Sequence, residues 1–286
     1  MSTFHGAATI EDEKDFAATS AADRSTAVKP SIAVAEAPFV SVLGVRIANM
    51  HEFEAVCRLE QWINEYRGQS KAVYFVNAHT LNLAAREPAY RDLLNRSQCV
   101  FGDGTGVRWA ARARGVRMKA NLNGTDLIPR LFRDTAGQGY RYFLLGATAE
   151  TIARAAASAQ DRFPGWTLAG HHHGYIDMQH APDVIKQIND ARPHALLVGM
   201  GNPLQEQWID RHLDQLRVPL CFGTGGLFDH WAGNLRRAPH WVRRLGYEWV
   251  QLLVQQPHKW RRYLLGNPAF LRRMVSHRGQ DMSLMA

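Results

Sequence analysis

Short apolar runs alternate with longer segments of helical periodicity along most of this 286-residue chain, and this alternation constrains the fold most strongly. The apolar runs lie at 40–47, 73–77, 99–102, 142–146, 167–170, 195–200 and 220–223. The helical segments lie at 51–67, 79–95, 105–114, 125–136, 149–162, 183–191 and 203–216. Strand–helix alternation is typical of parallel strands joined by crossover helices. We therefore predict an α/β, Rossmann-like fold with a largely parallel sheet and helices on both faces.

Three segments differ in composition. Residues 1–38 contain few large apolar side chains to offset the entropy of ordering, so we predict a disordered N-terminal extension. Residues 39–235 form the predicted α/β core. Residues 236–286 carry ten Lys or Arg and two acids, whereas the other 235 residues carry 24 charges of each sign. The net charge of +8 therefore lies in a predicted basic C-terminal appendage.

The appendage combines arginines with aromatic residues, and its apolar residues fall on one face of a predicted helix over 239–256. Its tryptophans and tyrosines are Trp241, Tyr247, Trp249, Trp260 and Tyr263. Such a segment can pack on the core, lie at a membrane surface or bind single-stranded nucleic acid. Composition alone leaves the three interpretations open.

The location of the protein is predicted from what the sequence lacks. Three scattered cysteines are too few for a disulfide framework, and no uncharged apolar run reaches the roughly 18 residues of a membrane span. The N-terminal residues do not have the pattern of a secretory signal. We therefore expect a cytosolic protein.

Several glycine-rich turns follow predicted strands, where ligands bind in folds of this class. Asp103, between Gly102 and Gly104, could act as a general base or could cap a helix. Asp126, in Gly124-Thr125-Asp126, could likewise cap a helix or contact a substrate. Gln205 and Glu206, after Gly201, could contact a ligand or could form a helix cap and a solvated helix face. The loop at Gly223–Gly226 could line a phosphate pocket.

Other common motifs are missing or weak. The sequence has no Gly-x-Gly-x-x-Gly fingerprint after a strand, no Gly-x-Ser-x-Gly elbow and no Asp-x-Asp pair. His171, His172 and His173 are adjacent, and neighbouring side chains on a strand point to opposite faces. We therefore predict no metal site at the three histidines.

Taken in order, these segments resemble the WecG/TagA/CpsF glycosyltransferase family from about Val40 to Leu271. The matching segments include Asn77-Ala78, Gly102-Asp103-Gly104, Gly124 to Leu127, Phe143 to Gly146, His172 to Tyr175, Gly199 to Glu206, Gly223 to Asp229, Arg237-Ala238-Pro239, Leu245 to Trp249 and Arg261 to Pro268. The resemblance implies transfer of a sugar from a UDP-sugar donor to a polyprenyl-diphosphate-linked saccharide, with inversion and without a metal or other cofactor. It also implies peripheral binding to an anionic membrane on the cytoplasmic face of the inner membrane, and no nucleic acid partner.

The resemblance implies that Asp103 is the catalytic base. The expected substrate contacts are Asn77, Gly104, Asn123, Thr125, Asp126, Gly201, Gln205, Glu206, Gly225, Arg236, Arg237, Arg261 and Arg262. The sequence departs from the family pattern at Phe75, Asn121, Asn123, Leu252 and Lys259, and these departures bear on the donor sugar and on diphosphate binding.

Two other hypotheses stay open at this point. A nucleotide-dependent oxidoreductase could use the same sheet, although the dinucleotide fingerprint is missing. A non-enzymatic protein could use the basic appendage to bind a membrane surface. The donor sugar is not predicted: N-acetylmannosamine, its uronic acid and glucose are all used within the family.

Overall fold

The computed structural model describes residues 38–177, 179–239, 242, 248–257, 260 and 264–276. Its strands are β1 (Phe39–Val42), β2 (Val45–Ala48), β3 (Lys71–Val76), β4 (Cys99–Gly102), β5 (Arg141–Gly146), β6 (Thr167–His172), β7 (Ala195–Gly199) and β8 (Leu220–Gly223). They form one sheet in the order β1-β2-β4-β3-β8-β7-β5-β6. Every pairing is parallel except that of β1 with β2, which confirms the predicted fold class.

Helices cover both faces of the sheet. Their bounds are α1 (Glu52–Asn64), α2 (Ala78–Arg86), α3 (Pro88–Arg96), α4 (Thr105–Arg112), α5 (Gly124–Asp134), α6 (Ala149–Arg162), α7 (Ala181–Ala191), α8 (Leu204–His212), α9 (Leu227–Trp231), α10 (Glu248–Gln255) and α11 (Gly266–Ser276). One face is covered by α2, α3, α4, α7, α8 and α11, and the other by α1, α5, α6 and α9. Because both faces are covered, the central strands are mostly apolar, and every residue of β7 is buried.

Two predicted elements are each divided in the structure. The single strand predicted at 40–47 is wrong, because Leu43 and Gly44 both adopt positive φ and turn the chain into the antiparallel β1–β2 hairpin. The single helix predicted at 79–95 is also wrong. It breaks at Glu87, where extended backbone precedes Pro88 and a second helix begins.

The basic C-terminal segment is joined to the core through α11. Phe270 and Met274 are buried in the same apolar cluster as α2 and α4. Of the helix predicted over 239–256, the structure describes α10 and residue 242, while 240, 241 and 243–247 lie outside the described residues. Residues 1–37 also lie outside them. The division into extension, core and appendage therefore stays a prediction.

Among the helices of the described residues, none combines the length and the apolar character needed to span a membrane.

Gly146, the last residue of β5, lies too close to the backbone of β7 for a residue with a side chain to fit. Its φ is +147°, and a Cβ atom there would lie 2.2 Å from the carbonyl oxygen of Gly199 on β7. We expect Gly146→Ala to lower the free energy of unfolding by about 2–4 kcal/mol, through backbone strain and overpacking. Urea unfolding followed by circular dichroism measures this change.

Gly137→Ala is the matched control, because a Cβ atom at Gly137 meets no atom within 4 Å. Equal stability of the two variants would contradict the close contact between β5 and β7.

Candidate active site

The carboxyl ends of four neighbouring strands bring half of the predicted site residues to one edge of the sheet. Val76 of β3 is paired with Gly102 of β4, and Tyr74 of β3 with Gly223 of β8. Gly223 is in turn paired with Val198 of β7. The loops that follow these strands begin with Asn77 after β3, Asp103 after β4, Thr224-Gly225 after β8 and Met200-Gly201 after β7. In open α/β sheets this edge is where ligands bind.

Asp103 lies between β4 and the first turn of α4. Its backbone N–H donates to the carbonyl of Val76 at 2.8 Å, which holds the Asp103 backbone against the end of β3. Gly104 follows with a φ of +89°, a conformation that favours glycine. The Asp103 residue is partly exposed at this edge, where a bound molecule could reach the carboxylate.

Asn121 holds the turn beside Asp103, a role that sequence reasoning missed. Its side-chain Oδ1 accepts a hydrogen bond from the Gly104 N–H at 2.6 Å. Sequence reasoning noted Asn121 only as a departure from the family pattern. No sequence signal pairs it with Gly104, because the two residues are 17 positions apart and meet only through the fold.

Two predicted substrate contacts serve as helix caps. Asn77 Oδ1 accepts from the backbone N–H groups of His79 and Thr80 at 3.0 and 3.3 Å, which caps α2. Asn123 is buried, and its Oδ1 accepts from the Asp126 N–H at 2.9 Å and caps α5. Both bonds satisfy amides that a helix leaves unpaired at its first turn. The two asparagines therefore fix where α2 and α5 begin at the edge of the sheet.

Arg237 is brought from the C-terminal segment to the start of α5. One guanidinium nitrogen donates to Asp126 Oδ1 at 2.8 Å, and another donates to the hydroxyl of Thr125. Asn123 Nδ2 donates to the second carboxylate oxygen of Asp126 at 2.8 Å. Four predicted site residues thus form one hydrogen-bonded group, although Arg237 and Asp126 are 111 positions apart.

Arg236, the neighbouring predicted residue, connects this group to α10. The Gln255 side chain accepts from the Arg236 N–H at 2.8 Å and donates to the Arg236 carbonyl at 3.0 Å. Gln251 donates to the same carbonyl at 3.1 Å. The amide side chains of α10 therefore hold the backbone beside Arg237. Arg261 and Arg262 lie outside the described residues.

Gln205 and Glu206 form a buried polar group at the start of α8, and each is 1% exposed. Gln205 Oε1 accepts from the Gly225 N–H at 3.0 Å, and its Nε2 donates to Glu206 at 2.7 Å. Glu206 also accepts from Asn202 Nδ2 at 2.6 Å and from the Tyr90 hydroxyl at 3.2 Å. These bonds join the loops after β7 and β8 to α3.

Burial governs the ionisation of Glu206. Desolvation raises the pKa of its carboxyl group, although the hydrogen bonds from Gln205, Asn202 and Tyr90 act in the opposite direction. Burial, followed by the nearby Glu206 charge, also raises the pKa of Tyr90. The Tyr90 hydroxyl therefore stays protonated and can donate.

Open space adjoins the backbone of the three glycines that were predicted to contact the substrate. A Cβ atom built on Gly104, Gly201 or Gly225 meets no atom within 4 Å. These glycines follow β4, β7 and β8, so the open space borders the same edge of the sheet as Asp103. A ligand can approach the backbone closely at such positions.

Two of the adjacent histidines, the last residue of β6 and the residue that follows it, form a local pair. The rings of His172 and His173 lie 4.4 Å apart, and His172 Nδ1 lies 2.8 Å from the His173 carbonyl oxygen. In the part of the chain that the structure describes, no three His, Cys, Asp or Glu side chains are arranged to hold a metal ion.

The pKa of Glu206 generates a testable pH dependence. A carboxyl whose pKa is raised by folding binds more protons in the native state, so its ionisation destabilises the fold as the pH rises above the usual glutamate pKa of about 4.5. Glu206→Gln keeps the side chain neutral. We expect the unfolding free energy of the wild type, relative to Glu206→Gln, to fall between pH 4 and pH 8.

Glu150→Gln is the control, because the Glu150 side chain is 82% exposed at the start of α6. A wild-type stability that rises with pH relative to Glu206→Gln would contradict the raised pKa.

Comparisons with known proteins agree with this arrangement. The model of the Glycosyl transferase WecG/TagA/CpsF family matches residues 40–283. Similar relatives include the N-acetylglucosaminyldiphosphoundecaprenol N-acetyl-beta-D-mannosaminyltransferases of Staphylococcus aureus strains NCTC 8325 / PS 47, COL and MRSA252. Each is 32% identical over 211 residues, which cover 74% of this chain and 82% of the relative. The match extends from β1 beyond α11, and the chain is therefore a glycosyltransferase that belongs to the WecG/TagA/CpsF family.

Proposed function

We propose that the protein transfers a sugar from a UDP-sugar to a polyprenyl-diphosphate-linked saccharide, with inversion at the anomeric carbon and without a metal ion. The observation that carries the proposal is the position of Asp103, a partly exposed acidic residue at the carboxyl edge of the sheet beside Gly104. The names of the Staphylococcus aureus relatives support a lipid-diphosphate acceptor. They also make N-acetylmannosamine the first donor sugar to test, with its uronic acid and glucose as the others.

The proposed reaction is a single displacement. The acceptor hydroxyl attacks the anomeric carbon while Asp103 accepts the hydroxyl proton. A new glycosidic C–O bond forms, the bond from the anomeric carbon to the diphosphate oxygen breaks, and UDP leaves with the bonding electron pair. Because attack and departure occur on opposite sides, the anomeric configuration inverts.

The leaving UDP requires positive charge and hydrogen-bond donors. Backbone amides at the open loops can supply donors, since helices α4 and α8 begin there. We assign the cationic role to Arg236, Arg237, Arg261 and Arg262, because a guanidinium binds phosphate in fork geometry. The bond between Arg237 and Asp126 supports a position for Arg237 at the edge of the site.

The other predicted contacts divide into two groups. Gly104, Gly201 and Gly225 border open space, which supports direct approach of the substrate. Asn77, Asn123 and Gln205 bond to neighbouring backbone, and Glu206 accepts from side chains around it. We therefore propose that this second group mainly positions the loops, and that Thr125 and Asp126 hold Arg237.

The acceptor also explains where the enzyme would act. A polyprenyl chain stays in the bilayer, so the enzyme must reach the membrane surface. We propose that the basic segment 236–286 binds anionic lipid on the cytoplasmic face of the inner membrane. Family membership favours this enzymatic role over an oxidoreductase or a non-enzymatic membrane-binding protein.

Replacing Asp103 by Asn tests the proposed base. We expect Asp103→Asn to lower kcat by roughly 10²–10⁴-fold, because the amide cannot accept the proton, while the affinity for UDP stays nearly unchanged. Turnover with radiolabelled UDP-sugars and a synthetic lipid-diphosphate acceptor measures kcat, and calorimetry measures UDP binding.

The control is Asp161→Asn, an exposed position on α6. Near-normal turnover of Asp103→Asn would remove Asp103 from the base role. Failure of the wild type with every UDP-sugar in a panel of N-acetylmannosamine, its uronic acid and glucose would contradict the proposed substrates.

A further inference from the structure

The region around α4 forms a second basic surface, within the core rather than in residues 236–286. From Gly104 to Thr125 the sequence contains five cationic residues and no Asp or Glu. The cationic residues are Arg108, Arg112, Arg114, Arg117 and Lys119. Since residues 1–235 are neutral overall, this concentration of positive charge is local.

The exposed face of α4 combines two of these arginines with a tryptophan. Arg108 and Arg112 are four residues apart and therefore lie on the same face of the helix. Trp109 lies beside them and is 59% exposed, whereas Val107 and Ala111 face the core. An exposed tryptophan between arginines is typical of an interface between water and lipid headgroups.

Helix α11 packs directly on α4. A Cβ atom on Gly106 would lie 3.6 Å from the Phe270 ring, and Arg114 Nη1 lies 3.5 Å from Met274 Sδ. Exposed apolar side chains lie on α11 and on the two residues before it, namely Leu264, Leu265 and Leu271. We call the exposed residues Arg108, Trp109, Arg112, Leu264, Leu265 and Leu271 the α4–α11 surface.

The cationic residues of this region differ in their acidic partners, and Lys119 forms an ion pair with Glu54 at 3.3 Å. Among the residues that the structure describes, Arg108 and Arg112 form no ion pair. Burial, followed by the nearby Arg86 and Arg272, lowers the pKa of Arg273 on α11. Anionic headgroups would offset this crowding of positive charge.

We propose that the α4–α11 surface binds the anionic surface of a bilayer, so that the core itself docks on the membrane together with the C-terminal segment. Tryptophan and leucine side chains would enter the headgroup region, and the arginines would contact lipid phosphates. This inference rests on the proposed function, because it assigns further residues to the membrane contact that a lipid-linked acceptor requires.

The position of α4 gives this contact a catalytic consequence. Helix α4 begins directly after Gly104, and Trp109 lies five residues beyond that glycine. With a rise of about 1.5 Å per residue, Trp109 is about 8 Å along the helix from the turn that carries Asp103. Docking through α4 would hold the base close to the headgroup layer, where the diphosphate of the acceptor lies.

Vesicle binding by the full chain tests the inference. We compare phosphatidylcholine vesicles with and without 30 mol% phosphatidylglycerol, a composition of roughly one anionic lipid in three. We expect Arg108→Gln/Arg112→Gln to weaken binding to anionic vesicles by about 25-fold, given about 1 kcal/mol per arginine near the surface. Trp109→Ser should weaken binding to the same vesicles by at least about fivefold.

Matched controls lie on the opposite face of the sheet. Phe53→Ser on α1 and Arg133→Gln on α5 replace exposed residues of similar type, and both should bind vesicles like the wild type. Transfer to a water-soluble, short-chain acceptor should be unchanged in all of these variants. That readout tests the proposed function separately from docking.

Three outcomes would overturn the inference. In the first, the wild type binds anionic vesicles and the α4 variants bind equally well, which leaves docking to residues 236–286. In the second, the wild type binds no vesicles, which also removes the membrane contact from the proposed function. In the third, the α4 variants lose affinity for a single-stranded oligonucleotide but not for vesicles, which identifies a nucleic-acid surface.

Discussion

The parallel backbone pairing of β4, β3, β8 and β7 is the constraint on which the rest of the structure depends. Parallel strands in register end at the same edge, so each following loop starts beside the next. Helices then begin at that edge, and their first turns need partners for unpaired amides. Asn77 and Asn123 supply such partners, which fixes where α2 and α5 begin, and Arg237 is bound at the first turn of α5.

Burial determines which polar residues hold the site and which border it. Gln205 and Glu206 are almost completely buried, and their hydrogen bonds connect β7, β8 and α3. Asp103 is partly exposed, although it directly follows β4, whose residues are mostly buried. The buried pair therefore supports the loops after β7 and β8, whereas Asp103 lies at the same edge of the sheet with part of its surface open to solvent.

The sequence predicted the layered fold and most elements, because the strands are short apolar runs and the crossover helices have apolar residues at helical spacing. It could not predict the hairpin at Leu43-Gly44, where a non-glycine residue adopts positive φ within an apolar run. It placed Asp103, Gln205 and Gly225 at strand ends, which the topology brings to one edge. It could not pair Arg237 with Asp126 or Asn121 with Gly104, because these contacts join distant segments through tertiary packing.

The burial of Phe270 against α2 and α4 also affects how the protein is made. Phe270 follows α2 and α4 along the chain, so both helices leave the ribosome before Phe270 does. Until then the apolar surface that Phe270 covers stays open to solvent or to chaperones. The nascent chain therefore completes this part of its core, next to the turn at Gly104, only after α11 has been synthesised.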